Sequence, residues 1–572
     1  MSARPGPFDL GQSMNEAMSL HRAGRLREAE KIYARVLKAA PDHFGALSLL
    51  GTVKARLGHL GEAQRLFSAA AKIKPQAPEA WSNLGQALHA LKRAAEALQC
   101  LDKARALAPD DIEIINQRAN VLLSLDRPGE ALAEFALVLA RAPGHVEARI
   151  NSGLAQAALG FPELALAEFD RALALVPGHP MAQFNRGVAL MKLGRYAEAL
   201  DANERALAGA PDHTGAWLNR GRALAQLNRN QEAIACYGKV TAIRKDHADA
   251  LFNEAIALLT LGQYRPGFEK YEWRWRRTGM PVQPSRGRPL WRGEYPLARK
   301  TVLVHAEQGL GDTIQFARYV PLLAAGGAKI VLEVQAELRT LMAGLDGADA
   351  VVARGEKPPP FDVHCPLGSL PMAFKTEIAT VPASIPYLSA DGAHLAKWSA
   401  RIEQLARPRI AIAWAGNASH DNDRNRSIAF ATLARLFNSP SAAQGKPPAS
   451  FLSIQRDVRT DDQAPLAAAS GVSHVGGELD DFSDTAAVLA LCDLVITVDT
   501  AVAHLAGALG RPLWVLLPFA PDWRWTLDGE TSPWYPAARL FRQTSTGDWD
   551  AVIERVGTAL ADFTRPSAGP AP

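Results

Sequence analysis

Long apolar runs are absent from this 572-residue sequence. No stretch approaches the ~20 residues of a membrane-spanning helix, and the opening MSARPGPFDL has no signal-peptide core. A cytoplasmic protein with no membrane span is therefore expected. Cysteine is scarce: Cys100, Cys236, Cys365 and Cys492 are widely spaced and form no CxxC. That argues against a disulfide framework and suggests no metal site. Neither sign of charge is in excess, because 63 Lys and Arg face 59 Asp and Glu for a net +4, so nucleic acid has no electrostatic footprint. Aromatics are 7% of residues, and the one aromatic–basic cluster, Tyr264 to Trp275, could stack bases. Standing alone, it reads instead as a capping helix that docks on the next domain. The length itself excludes a single core, and two to four domains are expected.

What is present is a period. Prolines stand at 7, 41, 75, 109, 143, 177 and 211, with Lys245 at the next step of 34. Gly51, Gly85, Gly153, Gly187 and Gly221 share one phase, and Ala29, Ala63, Ala97, Ala131, Ala165, Ala199 and Ala233 another. Small residues let paired helices approach, and proline starts a new unit where no helix continues. Trp81-x-x-Leu84-Gly85 and Trp217-x-x-x-Gly221 complete a pattern that resembles the tetratricopeptide repeat. The resemblance covers residues 7–276 and implies about eight repeats stacked as an all-α solenoid.

One column of that solenoid is polar. Asn83, Gln117, Asn151, Asn185, Asn219 and Asn253 share a phase two residues before the packing glycine. A carboxamide both donates and accepts, so a ladder along a concave groove can grip the backbone of an extended peptide. Bonding only within each repeat is the other reading. The peptide reading is strengthened by a similar ladder in the O-linked N-acetylglucosamine transferase superhelix, and it makes a protein segment the expected ligand.

After a Pro/Gly/Arg-rich linker at 277–300 the pattern becomes alternating strand and helix. Strands are expected at 301–306, 329–334, 351–352, 361–363 and 387–388. A second set begins at Arg409 and continues near 451–455, 472–475, 494–498 and 512–518, with helices expected over 313–324, 337–345 and 501–509. Two doubly wound α/β units, 301–395 and 405–545, facing a cleft are the natural solution, with ligands at the carboxyl ends of the strands. A C-terminal helix and disordered tail are expected at 546–572.

Candidate motifs fall at those ends. Glu307-Gln308-Gly309-Leu310-Gly311-Asp312-Thr313 allows a tight strand-to-helix turn, and Asp312 is either the helix N-cap or a general base facing the cleft. Asp499-Thr500-Ala501-x-x-His504 ends a buried strand and opens a helix. Free N–H groups and a helix dipole there suit phosphate, with Thr500 as cap and His504 as a further donor, though an ordinary strand-turn-helix has the same look. Arg424 and Arg426 share a loop with Asp421 and Asp423; they either hold a diphosphate or pair internally. Gln455 is placed to meet a nucleoside, and the aromatic rim 518–525 and 532–536 either stacks on sugar or closes an interface.

Residues 301–545 resemble the glycosyltransferases that include the lipopolysaccharide heptosyltransferases, a GT-B fold. The resemblance implies that Asp312, after Gly311, is the catalytic base. Arg426, with Arg424 nearby, Thr500, Ala501 and His504 would hold the donor phosphate, and Gly311, Gln455 and Asp499 would meet the donor's nucleoside or sugar. Ala501 replaces the family's glycine, Arg426 its usual lysine, and the first α/β unit is short for an acceptor domain.

Repeats joined to a GT-B unit also resemble O-linked protein glycosyltransferases. An inverting, metal-independent transfer of sugar from a nucleotide sugar, a co-substrate rather than a cofactor, to Ser or Thr of a repeat-bound protein is expected. Flagellin carrying a nonulosonic sugar is the specific expectation, and a homodimer is compatible with repeats that often pair. The alternatives are a lipopolysaccharide or glycan transferase whose repeats dock partners, and a non-catalytic scaffold.

Overall fold

The computed structural model describes residues 9–277, 286–420, 422–437 and 449–563. Pro7, Asp421, the first part of the expected linker and the tail beyond Phe563 lie outside the described residues. The chain divides into two compact units, Met1–Asn219 and Arg220–Pro572.

The first unit is a solenoid of antiparallel helix pairs, from Leu10–Arg22 and Leu26–Ala39 through Pro180–Lys192 and Tyr196–Gly209. The turn inside each pair has a residue with φ between +56° and +85°: Gly24, Gly58, Lys92, Asp126, Gly160 and Gly194, one period apart. Such a left-handed residue ends a helix at little cost when it is glycine. The first helices are N-capped by side chains in another column. His43, His145, His179 and His213 accept through Nδ1 from the backbone N–H three residues on at 3.0–3.3 Å, and Asp111 does the same through a carboxylate.

The second unit contains the last helices of the period, Asn230–Ile243, Ala248–Thr260 and Tyr264–Tyr271, and two parallel sheets. The first sheet has β1 (Thr301–His305), β2 (Lys329–Val334), β3 (Ala350–Ala353) and β4 (Val363–Pro366) in the order β3-β2-β1-β4. The second has β5 (Arg409–Ala413), β6 (Ser450–Ser453), β7 (Val472–His474), β8 (Leu494–Val498), β9 (Leu513–Leu517) and β10 (Ala538–Arg542). Its order, β7-β6-β5-β8-β9-β10, is the doubly wound dinucleotide-fold order, with the switch point between β5 and β8. β5, β8 and β9 are buried along their whole length, as continuous Ile/Val/Leu runs in a parallel sheet must be.

Several sequence expectations change. Residues 313–324 are not one helix but two, Leu310–Ala317 and Val320–Ala325, because Pro321 can only start a helix. Tyr387 and Leu388 form no strand; their N–H groups bond the Ala508 carbonyl at 3.0 and 3.3 Å, tying the linking segment to the end of the Ala501 helix. The strand β10 has no counterpart among the expected ones. The end of the expected linker is built into the first sheet: Trp291 N–H donates to His364 O at 2.9 Å, and Arg286 grips Glu333 at 2.7 and 3.0 Å.

The aromatic–basic cluster packs as a capping helix. Tyr264 and Phe268 are buried against Trp523 and Trp534, and Trp534 Nε1 donates to Tyr264 Oη at 2.9 Å. The aromatic rim therefore closes an interface rather than offering rings to a sugar, since Trp523, Trp525, Trp534 and Tyr535 are all fully buried.

Candidate active site

The two glycine-associated turns meet. A methyl group on Gly311 would stand 2.8 Å from His504 Cδ2 and 3.4 Å from Ala501 Cα, so only glycine lets the helix Leu310–Ala317 lie against the helix Ala501–Ala508. Their N-termini project from the carboxyl ends of β1 and β8, on different sheets.

Asp312 is the third residue of its helix, not the N-cap; Gly309 occupies that position. The carboxylate reaches back, Oδ2 accepting Gly309 N–H at 3.0 Å, as the acidic member of a capping box does. Its Oδ1 accepts from Arg524 Nη2. Arg524 is nearly buried and also donates to Asp522 Oδ1 at 2.8 Å and to Gln315 Oε1.

Thr500 stands at the N-cap of the Ala501 helix, but its side chain caps nothing; the hydroxyl bonds Thr497 Oγ1 at 3.3 Å. The expected side-chain cap is thus replaced by a helix start whose N–H groups keep no side-chain acceptor. His504, one turn on, is buried, stacked on Trp525 at 5.6 Å, with Nδ1 3.0 Å from Tyr535 Oη. Burial, reinforced by Arg524, Arg318 and Arg426, holds its imidazole well below the usual range, so the ring is neutral.

Arg426 lies over the switch point. Its Nη1 donates to Asp499 O at 3.0 Å, and Gly416 makes room for it, since a Cβ there would stand 2.6 Å from Nη2. Nε is buried without a hydrogen-bond partner; Asp423 Oδ1 is 3.8 Å away. Asp423 is held instead by Arg459 and Ser427. Burial, then the neighbouring Asp522, pushes the Asp499 carboxyl up to about 6. Arg424, on the same short helix, is exposed. Gln455 is turned inward: Oε1 accepts from Trp414 and Ala415 N–H at 3.1 and 3.0 Å, and Nε2 donates to Ala415 and Asp457 carbonyls at 3.0 and 3.2 Å. Its amide is fully occupied in bracing β6 against β5.

Sequence reasoning missed Arg524, Tyr535 and the support of the Glu307 turn. Tyr271 Oη donates to Gln308 Oε1 at 2.9 Å, while buried Arg274 bonds Glu307 at 3.1 Å and Ser369 at 2.7 Å. Burial pushes Glu307 up to about 7 against the pull of Arg274. The available signal was Asp522-x-Arg524, a charged pair at the carboxyl end of a strand.

The carboxamide column is partly self-satisfied. Gln117 accepts from Ser82 at 2.6 Å and donates to Glu113 at 3.1 Å, and Asn151 donates to Asn120 at 2.8 Å. The Nδ2 groups of Asn185 and Asn253 are buried and unpartnered, while Asn83 and Asn219 are half-buried.

Residues 14–53, 48–112, 116–180, 153–214, 184–243 and 218–265 match the tetratricopeptide repeat family, and residues 467–545, which include the Asp499–His504 turn, match glycosyltransferase family 9 (heptosyltransferase). The chain carries tetratricopeptide repeats and a glycosyltransferase family 9 domain. It is 28% identical over 330 residues to Protein FlbA of Caulobacter vibrioides, covering 53% of this chain and 54% of that protein. The chain thus spans about half the length of this curated relative. Among solved structures it is similar to MamA protein, at 23% identity and TM-score 0.27 over 29% of this chain and 91% of that one. A tetratricopeptide repeat protein from Parabacteroides merdae has 16% identity and TM-score 0.38, over 44% and 98%. A thermophilic repeat protein in Thermus thermophilus has 26% identity and TM-score 0.29, over 32% and 100%. The family 9 match covers the β8 turn and its surroundings; the Gly311-Asp312 turn lies before it. No helix among the described residues is long and apolar enough to cross a membrane.

Proposed function

We propose that this protein is an inverting, metal-independent glycosyltransferase of the cytoplasm that moves a sugar from a nucleotide donor to a Ser or Thr hydroxyl of a protein held by the repeats. Residues 301–395 and 405–545 act as its two α/β units. The observation that carries the reading is the direct meeting of Gly311-Asp312 with the Ala501–His504 turn, with Arg426 over the switch point. Asp312 takes the hydroxyl proton as the acceptor oxygen attacks the anomeric carbon. The bond from that carbon to the phosphate oxygen breaks, and its electron pair leaves with the nucleotide phosphate. Arg426 and Arg424, Thr500, the N–H groups at the start of the Ala501 helix and the neutral His504 meet that charge. In the tautomer where Tyr535 donates to Nδ1, His504 carries its proton on Nε2, the nitrogen nearer Gly311. Asp499 and Gly311 face the sugar end of the donor.

Peptide capture by the carboxamide column is part of this reading, and the match to the tetratricopeptide repeat family supports it. Flagellin with a nonulosonic sugar is the acceptor–donor pair we favour. The heptosyltransferase description of the family 9 match favours a second reading, transfer to a lipopolysaccharide or glycan acceptor.

Replacing Asp312 by Asn in the cell's own gene tests all readings at once. Protein transfer predicts a loss of ~10²–10⁴ in rate, read as disappearance of a glycan mass from an intact protein. A change confined to lipopolysaccharide transfers the function to the second reading. Unaltered protein and glycan profiles would leave only a scaffold.

A further inference from the structure

The carboxylate that the proposed mechanism uses as a base is occupied. Gly309 N–H holds Asp312 Oδ2, and Arg524 holds Oδ1 from the other sheet, 212 residues away in sequence. Arg524 has three side-chain ties, to Asp522, Gln315 and Asp312, and they differ in kind. Asp522 accepts from both its backbone N–H at 3.0 Å and its Nη1 at 2.8 Å, within one turn of chain, and Trp523 lies under the guanidinium at 4.4 Å. These local contacts form a pivot. Asp312 and the neutral Gln315 are reached across the junction between the two sheets, through different nitrogens, and only Asp312, beside Gly311 and His504, offers a charge that a phosphate would compete with. Asp312 is the exchangeable partner.

We propose that Arg524 is a latch, paired with Asp312 in the empty site and with the donor phosphate in the filled one, so that donor binding releases the carboxylate for the acceptor hydroxyl. This rests on the glycosyltransferase reading. A phosphate group offers more charge than one carboxylate and accepts two parallel N–H bonds from a guanidinium, so it displaces Asp312 while Asp522 keeps the arginine in place. The consequence is an ordered reaction. An acceptor hydroxyl that arrives first finds both oxygens of Asp312 engaged.

Inorganic pyrophosphate titrated into the full chain by calorimetry tests the latch through a double-mutant cycle. Asp312→Asn removes the competitor for Arg524 and is expected to tighten binding about tenfold, equivalent to about 1.4 kcal/mol. In an Arg524→Gln background, where binding is weak, the same change is expected to do nothing. Equal tightening in both backgrounds would mean simple charge repulsion and overturn the latch, as would no tightening in either. Where Arg524→Gln loses its cooperative melt or binds below detection, Arg524→Lys completes the cycle. Lysine keeps the charge without the fork, so Asp312→Asn should then tighten binding by clearly less than tenfold, and a full tenfold overturns the idea. Failure of pyrophosphate to bind the wild-type chain sinks the donor site itself, and the latch with it; binding without coupling sinks the latch alone.

Discussion

The solenoid and the crevice use the same residue types for opposite purposes. In the repeats, Arg25–Glu28, Arg93–Glu96, Arg127–Glu130 and Arg195–Glu198 are exposed pairs three residues apart at the starts of four of the second helices. Water and salt screen such pairs, and each contributes little. Around the sheet ends, Arg318 is buried and Arg426 half-buried, and both have remote partners. Arg318 donates to Trp534 O at 2.8 Å across 216 residues, and Arg426 to Asp499 O across 73. Burying a cation costs several kcal/mol unless its donors are satisfied, so each such residue fixes the geometry around it. The periodic half keeps these charges at its surface, whereas the crevice uses them to close polar contacts inside.

Replacing Arg318 by Met is the strongest test of that contrast. The side chain is buried, donates to the carbonyls of Gln315, Pro382 and Trp534, and lies 4.8–5.3 Å from the rings of Tyr387, Trp534 and Tyr535. Three carbonyls lose their donor at once. A loss on the order of 3 kcal/mol is expected in urea unfolding of the full chain. An unchanged midpoint would show that apolar packing, not polar closure, joins the two sheets.

Legibility in the sequence follows the same division. The solenoid could be read because its determinants recur at fixed offsets: a left-handed turn every 34 residues, and a glycine meeting a ring 16 residues on, as Gly51 meets Phe67 and Gly221 meets Tyr237. The central strands β5, β8 and β9 of the second sheet could be read because parallel strands buried on both faces are apolar runs, whereas the edge strand β10, with Arg539 exposed, has no such run. The turns at Gly311 and Thr500 were visible as motifs. Their direct meeting rests on tertiary packing that no local spacing encodes, and so does the Asp312–Arg524 pair. Gln455 is the reverse case: a polar residue at a strand end reads as a nucleoside contact, while in the fold four backbone groups engage its amide.

A smaller effect should follow from adding one carbon to the solenoid. In Gly153→Ala the new Cβ would stand 2.6 Å from Phe169 Cε1, a buried ring with no room to swing. Overpacking of this kind costs about 1–3 kcal/mol. Gly61→Ala is the control, because nothing lies within 4 Å of its Cβ position. If the two variants melt alike, helix spacing in the repeats is not set by these glycines, and the contrast with the crevice loses its apolar side.

The smallest expected effect at neutral pH is at His305, and it grows only on acidification. His305 is buried at the end of β1, its Nε2 3.1 Å from His364 Nδ1. Burial, then the positive charge of Arg286 and the neighbouring His364, lowers its imidazole from 6.5 to about 3. The unfolded chain therefore binds a proton below pH 6.5 that the folded chain refuses until near pH 3. The stability associated with the neutral ring is fully present above pH 6.5 and is lost progressively as pH falls from 6.5 toward 3. His305→Gln has no such proton to take up, so its melting temperature should match that of the wild type more closely with each step of acidification, or exceed it, whatever their offset at pH 7.5. Parallel curves from pH 7.5 to 4.5 would place the acid sensitivity elsewhere. The histidine caps of the repeats are the natural comparison, since each accepts an N–H through Nδ1 that protonation would block. They sit at the partly exposed starts of helices, whereas His305 is enclosed at the end of a sheet strand.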